Sequence, residues 1–275
     1  MVPEIAVLIT CHNRKVKTIS CLRNLFNQTG LNSNFKLEVF LTDDGSTDGT
    51  ADAVKTFFPA VNITQGNGLL YWNRGMHLSW SVALDKKTYD FYLWVNDDTQ
   101  LLPNAVIELL ACEMQFKNNS LICGAVSSPD GNQYTYGGQD RNGKAVIPNG
   151  QIQRCFNING NCVLISKAVV DKIGIIDPIY PHAIGDFDYG LRALRGGFNV
   201  LTTRIYVGHC ESNNLPKWCY RSTPLKERFK SLYSPLGSSH PYYFFIYERK
   251  HFGLHIAIIH FLSIHLRALI PSLWN

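Results

Sequence analysis

The chain has 275 residues, 45% hydrophobic and 17% charged, with 26 Lys and Arg against 21 Asp and Glu. That length buries a sizeable core, and the balance excludes a disordered, collagen-like or low-complexity protein. A net charge of +5 with no RNA-binding motif gives no reason to expect nucleic acid as a partner. The eight cysteines form no Cys-x-x-Cys pair, and several sit in apolar stretches. They read as buried reduced thiols of a cytoplasmic protein rather than as a zinc site or a disulfide set. The start, Met1-Val2-Pro3-Glu4-Ile5, lacks a basic stretch followed by an apolar core, so no signal peptide is expected.

A first strand is expected over residues 5–10, leading through Cys11-His12-Asn13-Arg14 into a helix over about 16–28. A second strand, 37–42, runs into Asp43-Asp44-Gly45-Ser46-Thr47-Asp48-Gly49-Thr50. There the glycines permit tight turns, and Ser46, Thr47 or Asp48 can cap the helix expected over 51–58. Next come a Gly-rich turn at 65–68 and Tyr71-Trp72-Asn73-Arg74-Gly75. Arg74, near a helix start, is placed to face a diphosphate. Tyr71 and Trp72 serve equally as core or as a stacking face. The apolar run 91–95 reads as a buried strand and empties into Asn96-Asp97-Asp98-Thr99. Two adjacent acids at a strand tip hold a cation or a cationic partner, since unpaired buried charge is costly. The same string is also good turn chemistry.

Three strand tips thus present Thr10 and Arg14, Asp43 and Asp44, and Asp97 and Asp98. All lie at carboxyl ends, the edge at which an open α/β sheet binds its ligands. This layout predicts one nucleoside-diphosphate site assembled from three loops. Further on, Asn159 and Asn161 flank Gly160 in a turn that suits sugar hydroxyls or simply the turn itself. A helix opens near Gly185-Asp186-Phe187-Asp188, where a carboxylate in the first turn meets the helix dipole. A last strand, 200–207, ends at Gly208-His209.

Thr10 to Arg14, the string Asp43 to Thr50 and Asn96-Asp97-Asp98 together resemble the family 2 glycosyltransferases over residues 5–209. The resemblance implies the GT-A fold: a Rossmann-like α/β domain with a mixed, mostly parallel central sheet flanked by helices. It implies transfer of a sugar from a UDP- or dTDP-linked donor to a saccharide hydroxyl, with inversion. By the same resemblance Thr10, Arg14, Asp44, Arg74 and Asp97 meet the donor nucleotide, Asp44 through its base. Asp98 binds Mn²⁺ or Mg²⁺, with His209 as a further ligand or a hydrogen-bonded structural residue. Asp186 takes the acceptor proton as general base or caps its helix, and Asp188 and Asn161 stand on the acceptor side. Two positions depart from the family pattern: Asn96 replaces the outer acid of Asp-x-Asp, and Gly185 replaces the first acid of the pair that contains the base.

The combination of Tyr71 to Gly75 with Trp94 to Asp98 is most similar to bacterial enzymes of surface-polysaccharide assembly, including rhamnosyltransferase-like ones, whose acceptors are often lipid-linked. A sugar-nucleotide pyrophosphorylase is the alternative enzyme, but it wants a Gly-rich, basic loop after the first strand, and Thr10 to Arg14 is not one. A non-catalytic, transferase-like scaffold is the alternative from another class.

The catalytic domain is expected over residues 1–212 and a basic, aromatic helical segment over 213–275. In that segment eight Lys and Arg face two Glu, and an apolar run over 254–270 is broken by His255, His260, His265 and Arg267. The run is too interrupted for a membrane span. Basic and aromatic residues beside an apolar helix suit a peripheral site on the inner face of an anionic membrane. A helical pair packed on the catalytic domain or in a homodimer explains the tail nearly as well.

Overall fold

The computed structural model describes residues 2–117, 119–237 and 239–274. Strands β1 (Glu4–Cys11), β2 (Lys36–Asp43), β3 (Asn62–Gln65) and β4 (Phe91–Val95) alternate with helices α1 (Lys15–Phe26), α2 (Thr50–Phe57) and α3 (Tyr71–Lys86). Then follow β5 (Gln100–Leu101), α4 (Ala105–Met114), β6 (Ser120–Ser127), β7 (Tyr134–Tyr136), β8 (Gln153–Arg154), β9 (Cys162–Ser166), α5 (Lys167–Ile173), α6 (Gly185–Arg195) and β10 (Asn199–His209). The tail forms α7 (Leu225–Leu232), α8 (Pro241–Phe252) and α9 (Leu254–Leu269).

The main path of the sheet has the order β3-β2-β1-β4-β9-β6-β10-β5, with β7 beside β6 and β8 beside β10. Strands β3, β2, β1 and β4 are parallel, and β9 is antiparallel to both β4 and β6. From β1 the chain steps outward through β2 to β3, then returns to β4 on the other side of β1. That reversal opens a crevice beyond the carboxyl ends of β1 and β4, the usual ligand site of an open α/β sheet.

Both faces of the sheet are covered, which is why β1 and β4 read as unbroken apolar runs. Alternate residues serve opposite layers. Ile5, Val7 and Ile9 pack with Leu22, Leu25, Val106 and Leu109 of α1 and α4, whereas Ala6 and Leu8 pack with Met76 and Trp80 of α3. In the second layer Trp80, Trp94 and Tyr189 form edge-on or tilted pairs with centroids 5.2–5.6 Å apart. This cluster fixes α6 over the end of β4.

The change in chain character after residue 212 does not give α8 a core of its own. Tyr247 of α8 shares a cluster with Tyr180, Ile184 and Leu191 beneath α6, while Trp218, Leu232, Ile264 and Ala268 form a second cluster within the tail. Two of the interrupting histidines have partners there: His260 pairs with Glu248 at 3.0 Å, and His265 Nε2 lies 2.7 Å from the Tyr233 hydroxyl. No helix among the described residues is long and apolar enough to cross a membrane.

Candidate functional site

The string after β2 stitches the strand tips together. Asp48 accepts from the backbone N–H of Lys15 at 3.0 Å and from that of Thr50 at 3.0 Å, so one side chain serves the starts of α1 and α2. Asn13, at φ 52°, donates its N–H to Ser46 Oγ at 2.9 Å and accepts from the Thr47 N–H at 2.7 Å. Asp43 is buried and accepts the Ser46 N–H, which fits a turn former. Asp44 is buried as well. Its carboxylate accepts from the Gly68, Leu70 and Tyr71 N–H groups at 2.8, 2.9 and 2.9 Å. Asp44 therefore holds the Gly-rich turn and the start of α3 against β2, and any contact to a nucleobase has to share an oxygen already engaged. Thr10 is buried under α3, where a Cβ on Gly75 would fall 2.1 Å from its hydroxyl oxygen. Gly75 is what lets α3 approach the end of β1.

The acid pair follows β4. Arg14 Nη1 reaches both acids, at 3.1 Å from Asp97 Oδ1 and 2.8 Å from Asp98 Oδ2. Asp97 is buried and also accepts from Thr18 Oγ1 at 3.4 Å. Burial pushes its carboxyl up to about 6 against the pull of Arg14. Asp98 keeps 20% of its side chain exposed. The Asn96 N–H donates to the Asn161 carbonyl at 3.0 Å, and Asn161 Nδ2 donates to Thr99 Oγ1 at 3.2 Å. Asn161 is buried and braces the acid loop.

Among the described residues no three His, Cys, Asp or Glu side chains gather as a metal cage. A hard divalent ion that keeps water and shares substrate phosphates needs only one or two carboxylates, and Asp98 with Asp97 supplies that donor set. His209 Nδ1 lies 3.1 Å from the Ser128 carbonyl and 2.8 Å from Ser127 Oγ. A carbonyl only accepts, so a bond there puts the proton on Nδ1 and leaves the lone pair on Nε2. Cys210, a neighbour that sequence reasoning missed, brings its Sγ within 3.7 Å of Asp98 Oδ1.

Asp186 opens α6, partly exposed, with Oδ2 accepting the Gly160 N–H at 3.0 Å and Oδ1 the Phe187 N–H at 2.9 Å. Burial pushes its carboxyl up to about 6, against the pull of these backbone donors. A carboxylate poised there is a competent proton acceptor near neutral pH. Trp72 joins it to the acid loop. Its Nε1 donates to Asn96 Oδ1 at 2.7 Å, and a Cβ on Gly160 would fall 2.4 Å from its ring. Asn96, the departure from the family's outer acid, is thus a partner of Trp72.

Asp188 is fully buried. It accepts from Arg192 Nε at 2.8 Å, from Lys250 at 2.7 Å and faces His251 Nε2 at 2.8 Å. Of its two expected roles the geometry favours the structural one. Arg74 turns its Nε to the Pro178 carbonyl at 2.9 Å and clamps the loop before α6 instead of facing the acid pair. That loop carries His182, also missed in the sequence, whose Nδ1 lies 3.4 Å from the Trp72 N–H. Burial and then the Arg14 charge lower its pKa to about 4, which keeps the imidazole neutral. A lone His in a loop of Pro and Tyr carries no pattern by which to find it.

Residues 6–174 match the sequence model of Glycosyl transferase family 2. The match ends before α6, so Asp186 and His209 lie outside it. No curated protein sequence matches the chain. Among solved structures, a Pyrobaculum calidifontis mannosyltransferase in complex with GDP-Man and Mn²⁺ is similar, with 14% identity, a TM-score of 0.57, and 97% of this chain and 76% of that one covered. GalNAc-T7 with UDP, GalNAc and Mn²⁺ is similar at 15% identity and TM-score 0.60, over 84% of this chain and 48% of that one. TarS of S. aureus is similar at 13% identity and TM-score 0.59, over 95% and 43%. This chain therefore spans less than half the length of the last two. At such identities the likeness speaks for the fold, which is GT-A.

Proposed function

The chain belongs to glycosyl transferase family 2, and from that premise we propose that it moves a hexosyl or deoxyhexosyl group from a nucleoside-diphosphate sugar to a saccharide hydroxyl, with inversion. The observation that supports the reading is the run of contacts from Asn96, beside the acid pair, through Trp72 to Gly160 and Asp186. Arg14 and the acid pair face the donor diphosphate, and Asp186 faces the acceptor.

In this reading Asp186, as carboxylate, takes the acceptor hydroxyl proton while the oxygen attacks the anomeric carbon. Gly160 and Phe187 hold the carboxylate in place through their N–H groups. Arg14 swings from the acids to the diphosphate oxygens, which suit its planar fork. A Mn²⁺ or Mg²⁺ ion held by Asp98 would add positive charge where the leaving diphosphate gains negative charge. The GDP and UDP named with two structural neighbours support a nucleoside-diphosphate donor without selecting the base. The resemblance to enzymes of bacterial surface-polysaccharide assembly supports a lipid-linked saccharide as acceptor.

The test is a calorimetric titration with UDP, dTDP and GDP, each with and without Mn²⁺. Metal-dependent binding of one of them supports the reading and names the donor class. Binding of none, with Mn²⁺ present, overturns it.

A further inference from the structure

Helix α9 carries two neighbouring apolar faces, and only one of them is covered. Ala257, Ile264 and Ala268 are buried against the tail core. Leu254, Ile258, Leu262, Leu266 and Leu269 remain 45–62% exposed. Steps of four and three keep these five on one face of the helix, centred about 120° round the axis from the buried residues. An apolar face of this width is normally covered, and this one is exposed. His260 stands off the stripe, paired with Glu248, while His255 and His265 share its arc, His265 being held by the Tyr233 hydroxyl.

The charge around the face indicates what covers it. Residues 213–275 carry eight Lys and Arg against two Glu, a net +6, whereas the whole chain is only +5. The basic excess of the molecule therefore lies entirely in the segment that bears the exposed face. Helix α7 is tied to the C-terminal end of α9 by Arg228, whose Nη1 donates to the Ala268 carbonyl at 2.8 Å, and it exposes Lys226 and Lys230. A symmetric contact with a second copy would set one +6 segment against another. An anionic surface meets it with opposite charge. Nearby, Tyr233 and Tyr242 help line an apolar hollow of about 470 Å³ and are themselves exposed, as suits rings at headgroup depth.

We propose that the face of α9 formed by Leu254, Ile258, Leu262, Leu266 and Leu269 docks on an anionic bilayer, lying in the interface with the cations of the tail among the headgroups. At 16 residues α9 is about 24 Å long, too short for a hydrocarbon core of about 30 Å, so it lies on the membrane rather than across it. Because α8 packs between α9 and α6, docking here holds the Asp186 side of the crevice at a fixed relation to the membrane surface. The docking claim stands apart from the transfer reading, since its test reads binding alone.

The test is co-sedimentation of the full chain with phosphatidylcholine vesicles, with and without phosphatidylglycerol. The variants are Ile258→Ser with Leu262→Ser, and Lys226→Gln with Lys230→Gln. All four positions are exposed, and circular dichroism checks that both variants fold. The expected result is binding that needs phosphatidylglycerol, falls at least ~10-fold in the apolar pair, and falls in the lysine pair with a weaker salt dependence. Absence of binding to the phosphatidylglycerol vesicles overturns the proposal, as does binding that the apolar pair leaves unchanged. A concentration-dependent dimer that the apolar pair dissolves, without vesicle binding, also overturns it and assigns the face to a second copy.

Discussion

A side-chain carbon on Gly185 would fall 1.7 Å from Asn73 Oδ1. Asn73 cannot yield, because it is fully buried and its Nδ2 donates to the Asp177 and Tyr180 carbonyls, both at 2.7 Å. Asn73 Oδ1 has no hydrogen-bond partner, so its contact with the bare Gly185 backbone takes the place of one. Here the family's first acid is excluded by packing, and a single carboxylate, Asp186, is left at the helix start. Gly185→Ala is therefore expected to cost about 1–3 kcal/mol through overpacking. Gly185→Glu, which restores the family pattern, should cost at least as much. Urea unfolding of both variants checks this; an unchanged midpoint for either would remove the packing explanation.

The pH dependence of transfer should report Asp186. Burial raises its carboxyl to about 6, so the carboxylate form is lost as pH falls through that value and activity falls with it. For folding the sign is opposite to that of a salt-bridged acid. The folded state binds this proton more tightly than an unfolded carboxyl near 3.9, so the stability it confers is lost as pH rises from about 4 to about 6. Asp186→Asn should lower kcat by about 10²–10⁴ and leave nucleotide binding unchanged. Single-turnover rates with calorimetry separate the two, and loss of nucleotide binding in this variant would contradict the assignment.

The elements that the sequence made legible are those whose pattern is local. The runs that became β1 and β4 stood out because strands covered on both faces are continuously apolar, and the tips of β2 and β4 were marked by Gly and Asp turn chemistry. Arg14, Asp97 and Asp98 were grouped correctly at one sheet edge because parallel strands put their carboxyl ends together. What stayed hidden depends on long-range contact. That Asp44 spends its carboxylate on the start of α3 follows from the fold of the turn at 66–68, which no spacing reveals. That α9 leaves an apolar face uncovered was obscured by His255, His260 and His265, which break the run in sequence, although His260 stands off that face. The pairing of Asp188 with residues more than 60 positions away in α8 has no local signature at all.

Arg14 and a divalent ion compete for the same carboxylates. Its Nη1 occupies Asp98 Oδ2 and Asp97 Oδ1 in the structure. With Arg14→Ala, Mn²⁺ alone should bind more tightly, by about tenfold, because an opposing charge is gone and two adjacent acids are left to be neutralised. Nucleoside diphosphate in the presence of Mn²⁺ should bind more weakly, for want of the guanidinium. Titrations with Mn²⁺ alone and with nucleotide plus Mn²⁺ read the two effects separately. If Mn²⁺ binding weakens instead, Arg14 orients the acids and does not compete for them.

Asp188 lies two residues beyond Asp186, and its contacts tie the tail to the helix that bears both. Burial alone would raise its carboxyl, but hydrogen bonds from His251 and Lys250, with the Arg192 charge, hold it well below the usual carboxylate range. Its ionised form thus stabilises the fold above the unfolded value near 3.9, and that stability drains away as pH falls toward the folded value. Arg195 reinforces the joint by donating to the Lys250 and His251 carbonyls at 3.1 and 2.6 Å. Asp188→Asn leaves Arg192, Lys250 and His251 facing a neutral amide in a closed site, so a loss of about 3 kcal/mol is expected. The damage should be unequal across the chain. The sheet does not depend on this contact, whereas among the described residues this joint and the Tyr247 cluster hold α8 against α6. Hydrogen exchange in Asp188→Asn should therefore show amides of α8 losing protection before those of β1 and β4. Uniform loss throughout the chain would mean that tail and sheet unfold as one unit.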